Sequence, residues 1–144
     1  MALDRAAGRL RWNVLLLGVA CFAAEVHAYE PSMNYTLHCM GCHTPDGSGM
    51  PDRVPSVRKT LLAFARLPAG REFLVQVPGS AQSTLSNAEL SELLNWMIQN
   101  LSSEPEPYQF EHFTEHEVAR YRTQSLFLVR QARERLLRAT QNQE

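Results

Sequence analysis

The sequence predicts an all-α protein. Three observations carry that expectation. Apolar residues recur at helical rather than alternating spacing, two Ser/Thr-x-x-Glu boxes mark helix starts, and no strand–turn–strand signal or internal repeat occurs. The five residues Cys39-Met40-Gly41-Cys42-His43 carry the most specific chemistry, and the expected helices follow on from them.

In chain order, residues 1–28 read as a secretory signal. Arg5, Arg9 and Arg11 form a basic start, residues 12–24 are mostly apolar but short for a membrane span, and Val26-His27-Ala28 resembles a cleavage site. The mature chain is then expected to begin near Tyr29. The alternative is an uncleaved N-terminal anchor, the one route by which this chain would meet a membrane. A lipoprotein reading through Cys21 is weaker, since Gly18-Val19-Ala20 lacks the Leu that would open a lipobox.

Residues 32–43 are expected to form the first helix, with Ser32 as N-cap and the Cys-x-x-Cys-His run closing it. Thr44-Pro45-Asp46-Gly47-Ser48-Gly49 disfavours helix and reads as a loop that continues to Pro55. Val57, Leu61, Leu62, Phe64 and Ala65 fall close to helical spacing, with Pro68 and Gly70 as stops. Residues 70–77 hold Phe73, Leu74 and Val77, a short helix ending at Pro78-Gly79. Ser86-Asn87-Ala88-Glu89 is a capping box with Leu85 and Leu90 as its hydrophobic staple, and Leu90, Leu93, Leu94, Met97 and Leu101 form the stripe of a helix over 86–101.

Residues 29–101 are thus read as a helical domain and 102–113 as a linker, stiff where it runs Ser-Ser-Glu-Pro-Glu-Pro. Thr114-Glu115-His116-Glu117 is a second capping box, with Phe113 and Val118 as staple. It predicts a helix of about 20 residues within an Arg-rich amphipathic segment, 114–144. The face carrying Arg120, Arg122, Arg130, Arg133, Arg135 and Arg138 reads as solvated, with a docking surface as the alternative.

Composition excludes little else. The full chain has 14 Lys and Arg against 15 Asp and Glu, and nothing in their distribution suggests a nucleic-acid partner. Of three cysteines, Cys21 falls in the leader, so only Cys39 and Cys42 remain to the mature chain.

Cys-x-x-Cys-His is the pattern to which haem c is attached. Residues three apart share one face of a helical turn, so both sulfurs reach one porphyrin edge, where each thiol adds across a vinyl group. His43 follows at once and would supply the proximal iron ligand. A zinc ribbon would need a second ligand pair, and a thioredoxin-like redox pair a βαβ setting; the sequence has neither. Attachment uses both thiols, so no disulfide is available.

At this point residues 35–101 resemble the class I c-type cytochromes: a first helix ending in Cys-x-x-Cys-His, the His43-Thr44-Pro45-Asp46-Gly47-Ser48-Gly49 loop, and a last core helix carrying Asn95-Trp96-Met97. The resemblance implies a small cytochrome c-like helical domain around one covalent haem, with the Arg-rich segment as a C-terminal extension. It also implies a periplasmic location, where such haems are attached. In that family the sixth iron ligand is usually a Met in the loop before the last helix. Here that loop, 77–85, has no Met and no His. Met50, Met97, His112 and His116 are candidates from elsewhere; Gln82, His38 or no protein ligand complete the alternatives.

The implied function is single-electron transfer between redox proteins, such as a periplasmic quinoprotein dehydrogenase and a downstream oxidase or other cytochrome. The protein would not itself be an enzyme. The alternative is a gas-binding, sensor or structural haem protein with an open or unusual sixth position, which the missing loop Met favours. Folding is expected to depend on the porphyrin, because the chain beyond the leader is modest for a self-sufficient core.

Overall fold

The computed structural model describes residues 28–107 and 109–142. The expected signal segment therefore lies outside the described residues, apart from Ala28. Seven helices form among the described residues: α1 (Pro31–His38), α2 (Leu61–Ala65), α3 (Pro68–Gln76), α4 (Pro78–Ala81), α5 (Asn87–Leu101), α6 (Glu115–Tyr121) and α7 (Val129–Gln141). The described part is all-α; its one β feature is an isolated bridge between Met50 and Val54. No described helix is long and apolar enough to cross a membrane.

α5 is the centre of the packing. Its start is fixed as the sequence indicates: the Glu89 amide donates to Ser86 Oγ at 3.1 Å, and the Ser86 amide donates to Glu89 Oε2 at 2.8 Å. Its stripe of Leu90, Leu93, Leu94, Met97 and Leu101 is buried. α1 and α6 pack against it, and α2 and α3 pair with each other beside it. Between α1 and α5, Tyr35 meets Trp96 with ring centroids 5.6 Å apart; between α2 and α3, Phe64 meets Phe73 edge-on at 5.6 Å. Such pairs add about 1 kcal/mol beyond their burial. Gly70 is required where α3 begins, because a Cβ there would lie 2.1 Å from the Phe64 carbonyl oxygen.

Two expectations are corrected at α1. The helix starts on Pro31 with Glu30 as N-cap, not Ser32. A proline at the first helical position has no N–H to satisfy and a φ already suited to helix. The helix also stops at His38 instead of running to His43. The Tyr35 carbonyl accepts from both the Cys39 and Met40 amides, at 2.9 and 3.1 Å, which ends the regular ladder. A separate turn follows, in which the Cys39 carbonyl accepts from Cys42 at 3.1 Å and His43 at 2.8 Å.

The C-terminal segment is not one helix of about 20 residues but two. Thr114 caps α6 as expected, accepting from the Glu117 amide at 3.2 Å. The Glu117 carboxylate, however, does not turn back to close the box. It takes a bidentate pair from Arg71 of α3, with both contacts at 2.6 Å. The chain then leaves helix geometry after Tyr121. Arg122 donates to the carbonyls of Leu85 and Ser83 at 2.6 Å each and to that of Ala81 at 3.2 Å, and the Leu126 amide donates to the Gln76 carbonyl at 2.9 Å. Arg122 is therefore a buried-side clamp, not part of a solvated face. The segment 77–85, read as a loop, contains the short helix α4.

Arg71 binds the two parts of the chain most tightly. Besides Glu117, it donates to the Glu111 carbonyl at 2.8 Å and lies 3.9 Å from the Phe113 ring centroid. Its side chain and that of Glu117 are only 12% and 14% exposed. Arg71→Ala leaves a nearly buried carboxylate without its partner and is expected to cost about 3 kcal/mol. A lowered urea midpoint at unchanged slope would register this; Arg71→Lys should recover only part, having no planar fork.

Candidate functional site

The three residues singled out by the sequence share one cavity. Cys39, Cys42 and His43 line a space of about 570 Å³, within the usual range for a bound organic group of about 300–1,000 Å³. Its other walls are mainly apolar: Leu61 and Phe64 from α2, Phe73 and Leu74 from α3, and Leu90, Leu93, Leu94 and Met97 from α5. The turn 39–43 brings both cysteines to the cavity although it is not a continuation of α1. Tyr35 steadies that turn, its hydroxyl donating to the Thr44 carbonyl at 2.7 Å. Burial pushes the Tyr35 phenol up to about 12.

Burial, and secondarily the neighbouring Cys42, raises the Cys39 thiol to about 11, so at neutral pH it is an uncharged S–H. Burial also lowers the His43 pKa, which keeps the imidazole neutral with a free lone pair. His43 Nδ1 is buried and has no hydrogen-bond partner. A buried ring nitrogen left unpaired costs about 1–3 kcal/mol. No group of three or more His, Cys, Asp or Glu side chains is gathered for a free metal ion among the described residues.

The loop after His43 is built on one carboxylate. Thr44 Oγ1 donates to Asp46 Oδ1 at 2.7 Å, the Ser48 amide donates to the same oxygen at 3.1 Å, and Arg58 pairs with Oδ2 at 3.2 Å. Gly47 and Gly49 both have φ +75°, and a Cβ on Gly49 would lie 2.3 Å from the Val54 carbonyl oxygen. The loop thus returns closely on itself and brings Arg53, Val54 and Pro55 to the cavity.

The four candidate sixth ligands separate clearly. Met97 lines the cavity. Met50 borders a second, outer groove instead. His112 is held at the surface by Glu106, 2.9 Å away, and His116 is exposed in the first turn of α6; neither lines the cavity. His38, the last residue of α1, borders the cavity; Gln82 does not. From 77–85 the wall receives Val77, Pro78, Gly79, Ser80, Ser83 and Leu85, none of them a strong iron ligand.

Two wall residues, Val129 and Arg133, come from α7. Sequence reading placed them on a separate appended helix. No local signal marks them, because their position depends on the break after Tyr121 and on the clamps that fold α7 back over α2 and α3. Comparison with known proteins adds no assignment: no family model, curated protein or solved structure matches the chain.

The Asp46 carboxyl is held down to about 2, first by the Thr44 hydroxyl and then by the Ser48 amide and hydroxyl and Arg58. A carboxyl with a depressed folded-state pKa stabilises the fold above its unfolded value of 3.8 and loses that contribution as pH falls toward 2. Acid titration of wild type, followed by near-UV circular dichroism, is expected to show a loss over that window. Asp46→Ala should begin from lower stability and lack this component.

Proposed function

We propose that the protein is a mono-haem c protein that transfers single electrons. The observation that carries this is the convergence of Cys39, Cys42 and His43 on one largely apolar cavity. Thiol addition joins sulfur to one vinyl carbon and the proton to the other, leaving a neutral thioether, a state suited to the buried surroundings of Cys39. His43, kept neutral by burial, has the donor character an iron ligand needs. The packing of α1 on α5 through Tyr35 and Trp96 further supports a cytochrome c-like arrangement.

A haem held there supplies one reversible electron; the chain's residues hold it, restrict water and set its surroundings. Cys39 and Cys42 would tether it and His43 would supply an iron ligand, while Leu61, Phe64, Leu90, Leu93 and Leu94 provide apolar walls. Low polarity disfavours the more highly charged oxidised state and so raises the potential. The expected setting is the periplasm, reached by the N-terminal signal. The partners are redox proteins, such as a quinoprotein dehydrogenase on the donor side and an oxidase or second cytochrome on the acceptor side.

A second reading keeps the haem but opens its distal side to a gas. It is favoured by the wall contributed from 77–85, which offers no strong ligand, and by the position of Met50, His112 and His116 away from the cavity.

Protein matured in a host with a haem-attachment system is expected to retain haem on a denaturing gel, and Cys39→Ser or Cys42→Ser to weaken the band. A wild-type chain without covalent haem would overturn both readings. Optical spectra then divide them. Carrier function with Met97 as sixth ligand predicts a low-spin haem that turns high-spin, with a lower potential, in Met97→Leu, a swap the core tolerates. An open site predicts a high-spin, CO-binding wild type that neither Met97→Leu nor His38→Ala alters.

A further inference from the structure

The outer groove adjoins the cavity. It encloses about 710 Å³, and Arg53, Val54, Pro55, Ser56, Val129 and Arg133 line both spaces. Arg130 joins the two shared arginines in the groove, where Asp52 is the single acidic residue. Among the described residues none of these three arginines makes an ion pair or a side-chain hydrogen bond, whereas Arg58, Arg66 and Arg71 are all paired with carboxylates. They come from two distant stretches: Arg53 from the loop after His43, and Arg130 and Arg133 from successive turns of α7.

We infer that this groove is a carboxylate site, and that the C-terminal helix α7 belongs to the cofactor-binding machinery instead of being an appendage to it. The inference rests on the haem reading above. Haem carries two carboxylates on an otherwise apolar ring. An apolar cavity that opens beside unpaired guanidinium groups matches that division, since a carboxylate is stabilised by a planar fork of N–H donors. α7 then contributes twice: Val129 covers apolar surface, and Arg133, reaching both spaces, meets the charged edge.

The pH dependence of the reduction potential tests this. A carboxylate next to a guanidinium ionises at lower pH, by about one to three units when the charges lie within about 4–6 Å. Ionisation adds negative charge beside the iron, stabilises the oxidised state, and makes the potential fall as pH rises through that pKa. With the arginines present, the fall should lie at acid pH. In the pair Arg53→Gln with Arg133→Gln it should move upward by at least about one unit. Other groups facing these spaces are His38, His43, Arg130 and Asp52, so the comparison is made between variants that leave all four intact.

Arg133→Lys should restore most of the wild-type profile, and Arg138→Gln, on α7 but bordering neither space, should leave it unchanged. Helix content by far-UV circular dichroism checks that the variants fold, and a denaturing gel checks covalent haem independently of the arginines. If wild type carries no covalent haem, the underlying reading fails. If haem is attached and the profiles of wild type and double variant superimpose, this inference fails while that reading stands. Added succinate should leave the wild-type profile unmoved; a saturable shift that the double variant lacks would make the occupant a free carboxylate and overturn the assignment to the porphyrin.

Discussion

Arg71 is where the helical core and the C-terminal segment become one structure. Its guanidinium satisfies a carboxylate and a carbonyl from 111–117 while its face lies against Phe113. A nearly buried ion pair is stabilising only when geometry and hydrogen bonding offset desolvation, and the bidentate contact to Glu117 meets that requirement. Asn95 reinforces the junction from α5. Its side chain donates to the Phe113 carbonyl at 2.9 Å and accepts from the Phe113 amide at 2.7 Å, as a neighbouring strand would. Phe113 and Val118 can then be buried against the core.

Arg122 extends the same logic to the far side of the cavity. It satisfies three carbonyls of the turn 81–85, which would otherwise need water or helix to accept hydrogen bonds. That turn lies between α4 and α5 and contributes Ser83 and Leu85 to the cavity wall. The clamp stiffens one wall from behind and, by drawing the chain out of helix geometry after Tyr121, redirects α7. One side chain thus settles both the shape of a wall and the approach of the helix that borders it.

The cysteine turn shows a different balance. Burial of the Cys39 thiol and of the His43 imidazole favours the neutral form of each. The loop beside it is polar and compact, with Asp46 accepting from the Thr44 hydroxyl, the Ser48 amide and Arg58. Arg53 and Arg133 border the cavity and Asp46 pairs with Arg58 away from it, while the cavity walls stay mainly apolar.

Local rules determined much of this protein from sequence alone. Helical spacing gave the buried stripe of α5, Ser86 and Glu89 gave its first turn, and Thr44 to Gly49 gave the loop, because each depends on residues within a few positions. The grouping of Cys39, Cys42 and His43 was legible for the same reason: one turn brings them together whether or not α1 continues through it. Long-range contacts decided the rest. Glu117 abandons its capping box because Arg71, 46 residues away, offers a stronger partner. The expected C-terminal helix breaks because Arg122 finds carbonyls 37 to 41 residues earlier. Arg53 and Arg133 meet at one groove only after both events. The sequence lists such partners, but only the folded chain brings donors and acceptors so far apart into hydrogen-bonding distance.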